Sequence, residues 1–143
     1  MLEVIVLLSL AGLVGSITIS QARPTADLIR YRSTMQDLAA QVRAMPSRSE
    51  NEGRQYLLRI DGPSGVLQVV TREVLPAPAE RIDRTIWLPR GLAILEAPEE
   101  LGVQSDGSLP SASILLDAPG VQRTFRLTTH PRSIVQLHEE PST

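Results

Sequence analysis

Between Glu3 and Arg23 the chain carries no charged residue, a run of nineteen positions from Val4 to Ala22. Wound as an α-helix the run would be about 28 Å long, close to the roughly 30 Å hydrocarbon core of a bilayer. Ser9, Ser16 and Thr18 fit such a helix, because a hydroxyl can bond back to a carbonyl one turn earlier. Few folds can use a segment of this kind. It enters a membrane, is removed as a signal peptide, or is buried on all sides in a soluble core. A signal peptide would need a positively charged start. Here the only early charge is Glu3, although Ser20-Gln21-Ala22 would serve as a cleavage site. A core helix would show a polar face, and none appears along the run.

Glu3 narrows the choice. A carboxylate at the margin of an apolar helix is costly to hold in a membrane and so has a task or a partner. The order Met1-Leu2-Glu3-Val4-Ile5-Val6-Leu7-Leu8-Ser9-Leu10-Ala11-Gly12-Leu13-Val14 resembles the N-terminal segment of type IV pilins and type II secretion pseudopilins. In that family a short basic leader ends in glycine. The mature chain then opens with an aromatic residue, a small polar one, two apolar ones, a glutamate and a long apolar run. Leu2-Glu3-Val4 and the run to Ile19 match from the apolar pair onward. The leader and its cleavage glycine have no counterpart, so the expectation is that Met1 stands at an internal apolar position with a leader encoded upstream. Arg23, Arg30 and Arg32 follow the run. Taken literally, the positive-inside rule would put the C-terminal side in the cytoplasm. Pilin-like proteins do the reverse, helped by their leader. For Glu3 the resemblance implies two roles: neutralising the N-terminal amine of a neighbouring subunit inside an apolar bundle, and recruiting the subunit to it. A desolvated carboxylate needs such a cation. The alternative is a glutamate that snorkels to the membrane surface.

After Pro24 the period changes. Leu28, Tyr31, Met35, Leu38, Val42 and Met45 recur at spacings of three and four, one apolar stripe on a helix. Arg30, Gln36, Asp37, Gln41 and Arg43 lie off it. Pro46 and Ser47 are expected to stop the helix, with a polar loop from Ser47 to Arg54. The chain thus divides into 1–22 as a membrane helix half, 23–46 as an amphipathic stem and 47–143 as a β-rich head.

In the head the period becomes two. Tyr56–Ile60 and Val66–Val74 predict a hairpin around Asp61-Gly62-Pro63-Ser64-Gly65, and Pro76–Asp83 reads as a proline-rich connection. Thr85–Leu88 and Leu92–Leu95 predict short strands. Val103–Ser105 leads into Asp106-Gly107, a turn pair. Ser113–Leu116, Arg123–Thr128 and Ser133–Leu137 predict the closing strands. The expected fold class is α+β, a long N-terminal helix packed on an antiparallel β-sheet head. The last third, with Asp106-Gly107 ahead of Ile114-Leu115-Leu116-Asp117, Arg123-Thr124-Phe125-Arg126-Leu127 and Ile134-Val135-Gln136-Leu137, resembles the tail of minor pseudopilins of the GspH/FimT type. There an Asp-Gly turn precedes two or three strands, the middle one starting with a basic residue. The family's last turn usually holds Thr-Gly, where this chain has Pro131-Arg132-Ser133.

Little in the sequence points to catalysis or a cofactor. There is no cysteine, which excludes a disulfide framework and a cysteine-ligated metal. His130 and His138 read as surface residues and form no metal pair. Glu96, Glu99 and Glu100 lack the pattern of a calcium loop. No enzyme, metal or cofactor is expected. The four aromatic residues are too few for a base-stacking platform. Residues 21–95 hold 11 arginines against 8 acids, whereas residues 96–143 hold 3 against 7. The acidic tail is therefore a poor match for nucleic acid. Arg48, Arg54 and Arg59 could form a small basic patch or be salt-bridged. The resemblance implies a minor pseudopilin-like subunit of a type II secretion or type IV pilus-like assembly. It would sit in the inner membrane by a single span, with its head in the periplasm or extracytoplasmic space. Its partners would be other pilin-like subunits and, through a leader, the prepilin peptidase. The alternatives are a secreted or anchored β-domain with a binding role, and a DNA-capturing pilin.

Overall fold

The computed structural model describes residues 2–73, 77–132 and 134–142; the side chains of 2, 10 and 12–23 are not among those described. One helix, α1 (Leu2–Glu52), precedes eight strands: β1 (Gln55–Asp61), β2 (Val66–Glu73), β3 (Ala79–Trp87), β4 (Ala93–Glu96), β5 (Glu100–Gly102), β6 (Ala112–Ala118), β7 (Arg123–His130) and β8 (Ile134–Pro141). They form two four-stranded sheets, in the orders β3-β2-β1-β5 and β4-β6-β7-β8. Every pairing is antiparallel. The fold is α+β, as expected.

The apolar stripe does what its period dictates. Tyr31, Met35, Leu38, Val42 and Met45 are buried and Leu28 is partly so, in a core shared with both sheets. The inward residues of β1 (Tyr56, Leu58, Ile60) and of β6 and β7 (Ile114, Leu116, Phe125, Leu127) close on that stripe. Burying one leucine of this kind contributes about 1.5–3 kcal/mol, so the helix and the two sheets hold one another in place. Arg30, Gln36 and Arg43 face outward, while Arg43 also donates to the Val135 carbonyl on β8 at 3.2 Å.

The helix does not stop at Pro46. It continues to Glu52 with both Pro24 and Pro46 inside it, and the expected loop from Ser47 is helical for its first six residues. An interior proline removes one hydrogen bond and costs about 3 kcal/mol. Packing offsets that here. Met45 is buried beside the proline, and the Arg48 guanidinium lies 4.8 Å from the centre of the Tyr56 ring. Arg48 also reaches Asp83 at 3.0 Å, and the Tyr56 hydroxyl donates to Glu52. Burial, then that bond, pushes the Tyr56 phenol above its ordinary range, so it stays a donor. The true stop is Gly53, whose φ of +63° glycine adopts without a Cβ penalty at a helix end and whose N–H bonds the Ser49 carbonyl at 3.0 Å.

The expected strands also change at one place. The second half of the expected connection, from Ala79, belongs to β3. As an edge strand it needs a backbone partner on one side only, and its charged residues guard the free edge, which hides it from a hydrophobic pattern. A short strand with no counterpart in the sequence reading, β5, lies just before Val103, and there Leu101 pairs with Leu58. Val103–Ser105 leads into the turn at Asp106-Gly107 as read. There Gly107 has φ +80°, and the Asp106 carboxylate accepts from the Ser108 N–H at 2.9 Å. The hairpin around Gly62, the strands of the last third and Arg123 at the head of β7 lie as read. Val74 and Ser133, the outer residues of two expected strands, fall outside the described residues.

Candidate assembly surface

The candidate surface begins where α1 has no sheet beneath it. Glu3 lies in the first turn of the helix, where a carboxylate is favoured by the positive end of the helix dipole. It is exposed, and among the described residues no ion pair engages it. Val4, Ile5, Val6, Leu7 and Leu8 follow, each between 54% and 68% exposed. Five consecutive large apolar side chains in water form a patch that a lone soluble chain seldom keeps. The Ser9 hydroxyl bonds back to the Ile5 carbonyl, so this polar group is satisfied inside the helix. The same expectation for Ser16 and Thr18 lies outside the described side chains. Among the described residues no helix is long and apolar enough to cross a membrane. The expected membrane segment, 1–22, falls for most of its length on side chains beyond that description.

The helix is fixed to the head at a junction near residue 31. The Tyr31 hydroxyl donates to the Arg90 carbonyl at 2.8 Å and sits where a Cβ on Gly91 would come within 2.5 Å of it. One position on, Arg32 grips Glu139 of β8 with two parallel bonds of 2.6 and 2.7 Å. Arg123 approaches the same carboxylate at 3.5 Å. The Arg32 bonds hold the Glu139 carboxyl below the usual glutamate range. The sequence carried no sign of this clamp, because its partners lie 107 positions apart and neither residue breaks a pattern.

The arginines weighed as a basic patch are salt-bridged. Arg48 meets Asp83, Arg54 meets Glu73 at 3.2 Å, and Arg59 meets both Glu80 and Glu100 at 3.0 Å. His130 ends β7 and His138 lies on β8, both exposed. Of the three glutamates considered for a cation, Glu100 is taken by Arg59. Among the described residues no group of three histidines or carboxylates stands close enough to hold a metal ion.

With the geometry in place, the molecule can be set beside known proteins. No protein-family model matches the sequence, and comparison with curated proteins gives no match. Two solved structures, both of the minor pseudopilin EpsH from the type II secretion system of Vibrio cholerae, share the fold. One superposes with a TM-score of 0.61 at 16% identity, covering 76% of this chain and 95% of the other. The second gives 0.59 at 15% identity, covering 79% and 94%. The chain therefore has a pseudopilin-like fold.

Proposed function

We propose that this chain is a minor pseudopilin-like subunit of a type II secretion or type IV pilus-like assembly. The observation that carries the reading is the division of α1. Its second half is consumed by the core of a pseudopilin-like head, and its first described residues, Val4 to Leu8, are apolar and uncovered. The first half would be stored in the inner membrane, with the head outside the cytoplasm. It would then pass into a bundle of like helices as a filament grows. Exchanging lipid for helix contacts leaves the apolar burial nearly unchanged, so the transfer is reversible in energy and direction is set by polar contacts. Glu3 supplies such a contact. Inside a bundle its carboxylate requires a cation, and the terminal amine of a neighbouring subunit meets that need. No turnover is part of this role, and no residue is assigned to catalysis.

The experiment is expression of the full chain in cells that carry pilin-like subunits, followed by membrane fractionation and co-purification. The unaltered chain is expected in the membrane fraction with other subunits attached. Glu3→Leu is expected to stay in the membrane and lose those subunits. Normal co-purification of Glu3→Leu would remove the role given to Glu3, and a chain found wholly outside the membrane fraction would remove the reading itself.

A further inference from the structure

Three strand-to-strand turns lie at the end of the head nearest the first half of α1. We propose that this base rests on the lipid headgroup layer while α1 is stored in the membrane, with the Trp87 indole and the Arg90 guanidinium against lipid. The proposal deepens the reading of α1 given above and rests on it for the membrane position of the helix.

Contacts along α1 place the base. β3 meets Arg48 at Asp83 and Asp37 at Arg84, each at 3.0 Å, and the turn after it meets Tyr31 at the Arg90 carbonyl. β8 descends in the same sense, from Val135 at Arg43 to Glu139 at Arg32. Both strands therefore end near Leu28, where α1 begins to pack on the head. Leu28 follows Ala22, the last residue of the uncharged run, by six positions, about 9 Å of helix. The headgroup layer is roughly 5–8 Å thick on each side of the hydrocarbon core. A head that starts at Leu28 has its base at the outer margin of that layer.

The composition of the base fits that position. Its turns are Gly62–Gly65, Leu88–Gly91 and Pro119–Gln122, and Arg90 is their only charged residue. The opposite end carries Glu50, Glu52, Arg54, Asp106 and Arg132, all exposed. Trp87 is the last residue of β3 and pairs with Val66, the first of β2. The next N–H, of Leu88, bonds the Gly65 carbonyl at 3.0 Å, so Trp87 stands where two of the turns join. It is 72% exposed. An indole with one apolar body and one N–H donor is suited to the boundary between lipid and water. Arg30 and Arg90 are exposed and have no ion-pair partner among the described residues, which leaves both for lipid phosphates. At the neighbouring strand ends, Asp61 accepts from Ser64, Asp117 from Ser142, and Glu139 from Arg32. Asp27 and Glu140 remain exposed, so the base is close to neutral and the indole carries the contact. Such a contact is small enough to break when α1 leaves the membrane.

Trp87 is the chain's single tryptophan, so its emission reports on the base directly. The full chain is reconstituted into vesicles of phosphatidylcholine with a minority of phosphatidylglycerol. A tracer lipid carries a nitroxide quencher on its headgroup or, in a second set, near its acyl-chain end. Flotation of the vesicles scores membrane association separately. Trp87 is expected to lose most of its emission to the headgroup label and little to the chain-end label, and Arg90→Glu to relieve part of that loss. As a control, Ser105→Trp in a Trp87→Phe chain puts the indole on an exposed turn at the opposite end, where the headgroup label is expected to quench little. A chain that floats with Trp87 unquenched would overturn the proposal and leave the reading of α1 standing. Equal quenching from position 105, or no relief from Arg90→Glu, would overturn it as well. A chain that does not float would remove the reading of α1 and this proposal with it.

Discussion

The two halves of α1 carry similar apolar side chains and meet opposite fates. Met35, Leu38 and Val42 are completely buried, whereas Leu7 and Leu8 are each 68% exposed. Helix propensity does not separate them, since leucine and valine occur in both. What separates them is period. From Leu28 the apolar residues keep to one stripe and leave a polar face for water, so one chain can bury them. From Val4 to Leu8 they follow one another without interruption, and no charge follows before Arg23, so no single sheet could cover every side of such a helix. The second half is complete within the chain. In the first half, Val4 to Leu8 are apolar and uncovered by any described part of the chain.

Truncating one leucine in each half turns this contrast into numbers. Leu38→Ala is expected to destabilise the head by about 2–5 kcal/mol, the usual range for a fully buried leucine. Leu7→Ala is expected to leave stability within about 0.5 kcal/mol. Chemical denaturation of the solubilised chain, followed by the Trp87 signal, measures both. Similar losses at the two positions would break the comparison.

The junction between the halves gives smaller effects. Gly91→Ala is expected to cost about 1–3 kcal/mol in the same assay, because φ there is +88° and the new Cβ would strike the Tyr31 hydroxyl. Adding Tyr31→Phe should recover part of that loss by removing the struck atom, while the strain of positive φ remains. A smaller effect still is expected from Glu139→Gln. The Glu139 carboxyl is held below its ordinary range by Arg32. Its contribution is therefore full above the ordinary glutamate range and is lost as pH falls through the depressed value. Denaturation midpoints of the two proteins should differ near neutral pH and converge in acid. A gap that persists unchanged in acid would assign the difference to packing instead of charge.

How much of this was legible in the sequence follows the same division. Wherever a feature was local, the reading succeeded. The stripe from Leu28 to Met45, the turn at Asp61–Gly65, the Asp106-Gly107 turn and the strands of the last third each rest on spacing within about ten residues. The misses were decided at long range. Pro46 reads as a stop, and the helix that runs past it is held by Arg48, which reaches Asp83 across 35 positions of chain. The first half of β3, Ala79–Asp83, reads as connection because an edge strand can carry charges on both faces, whereas its end at Thr85–Trp87 was read as strand. The Arg32–Glu139 clamp has no sequence signature, since it arises where the helix meets a strand 107 positions away. Glu3 stood out for the opposite reason. It was found by its place in an uncharged run, and the structure adds its exposure on an uncovered helix.

The most direct test of the division of α1 is photocrosslinking from its first half. A photoreactive residue replaces Leu8 in the full chain, expressed in cells that carry pilin-like subunits, and the same residue replaces Gln36 on the outer face of the second half as a control. The account predicts protein adducts with another pilin-like subunit from position 8, lost when Glu3→Leu is added, and no such Glu3-dependent adduct from position 36. An absence of subunit adducts at position 8 in cells where the assembly is present would contradict it.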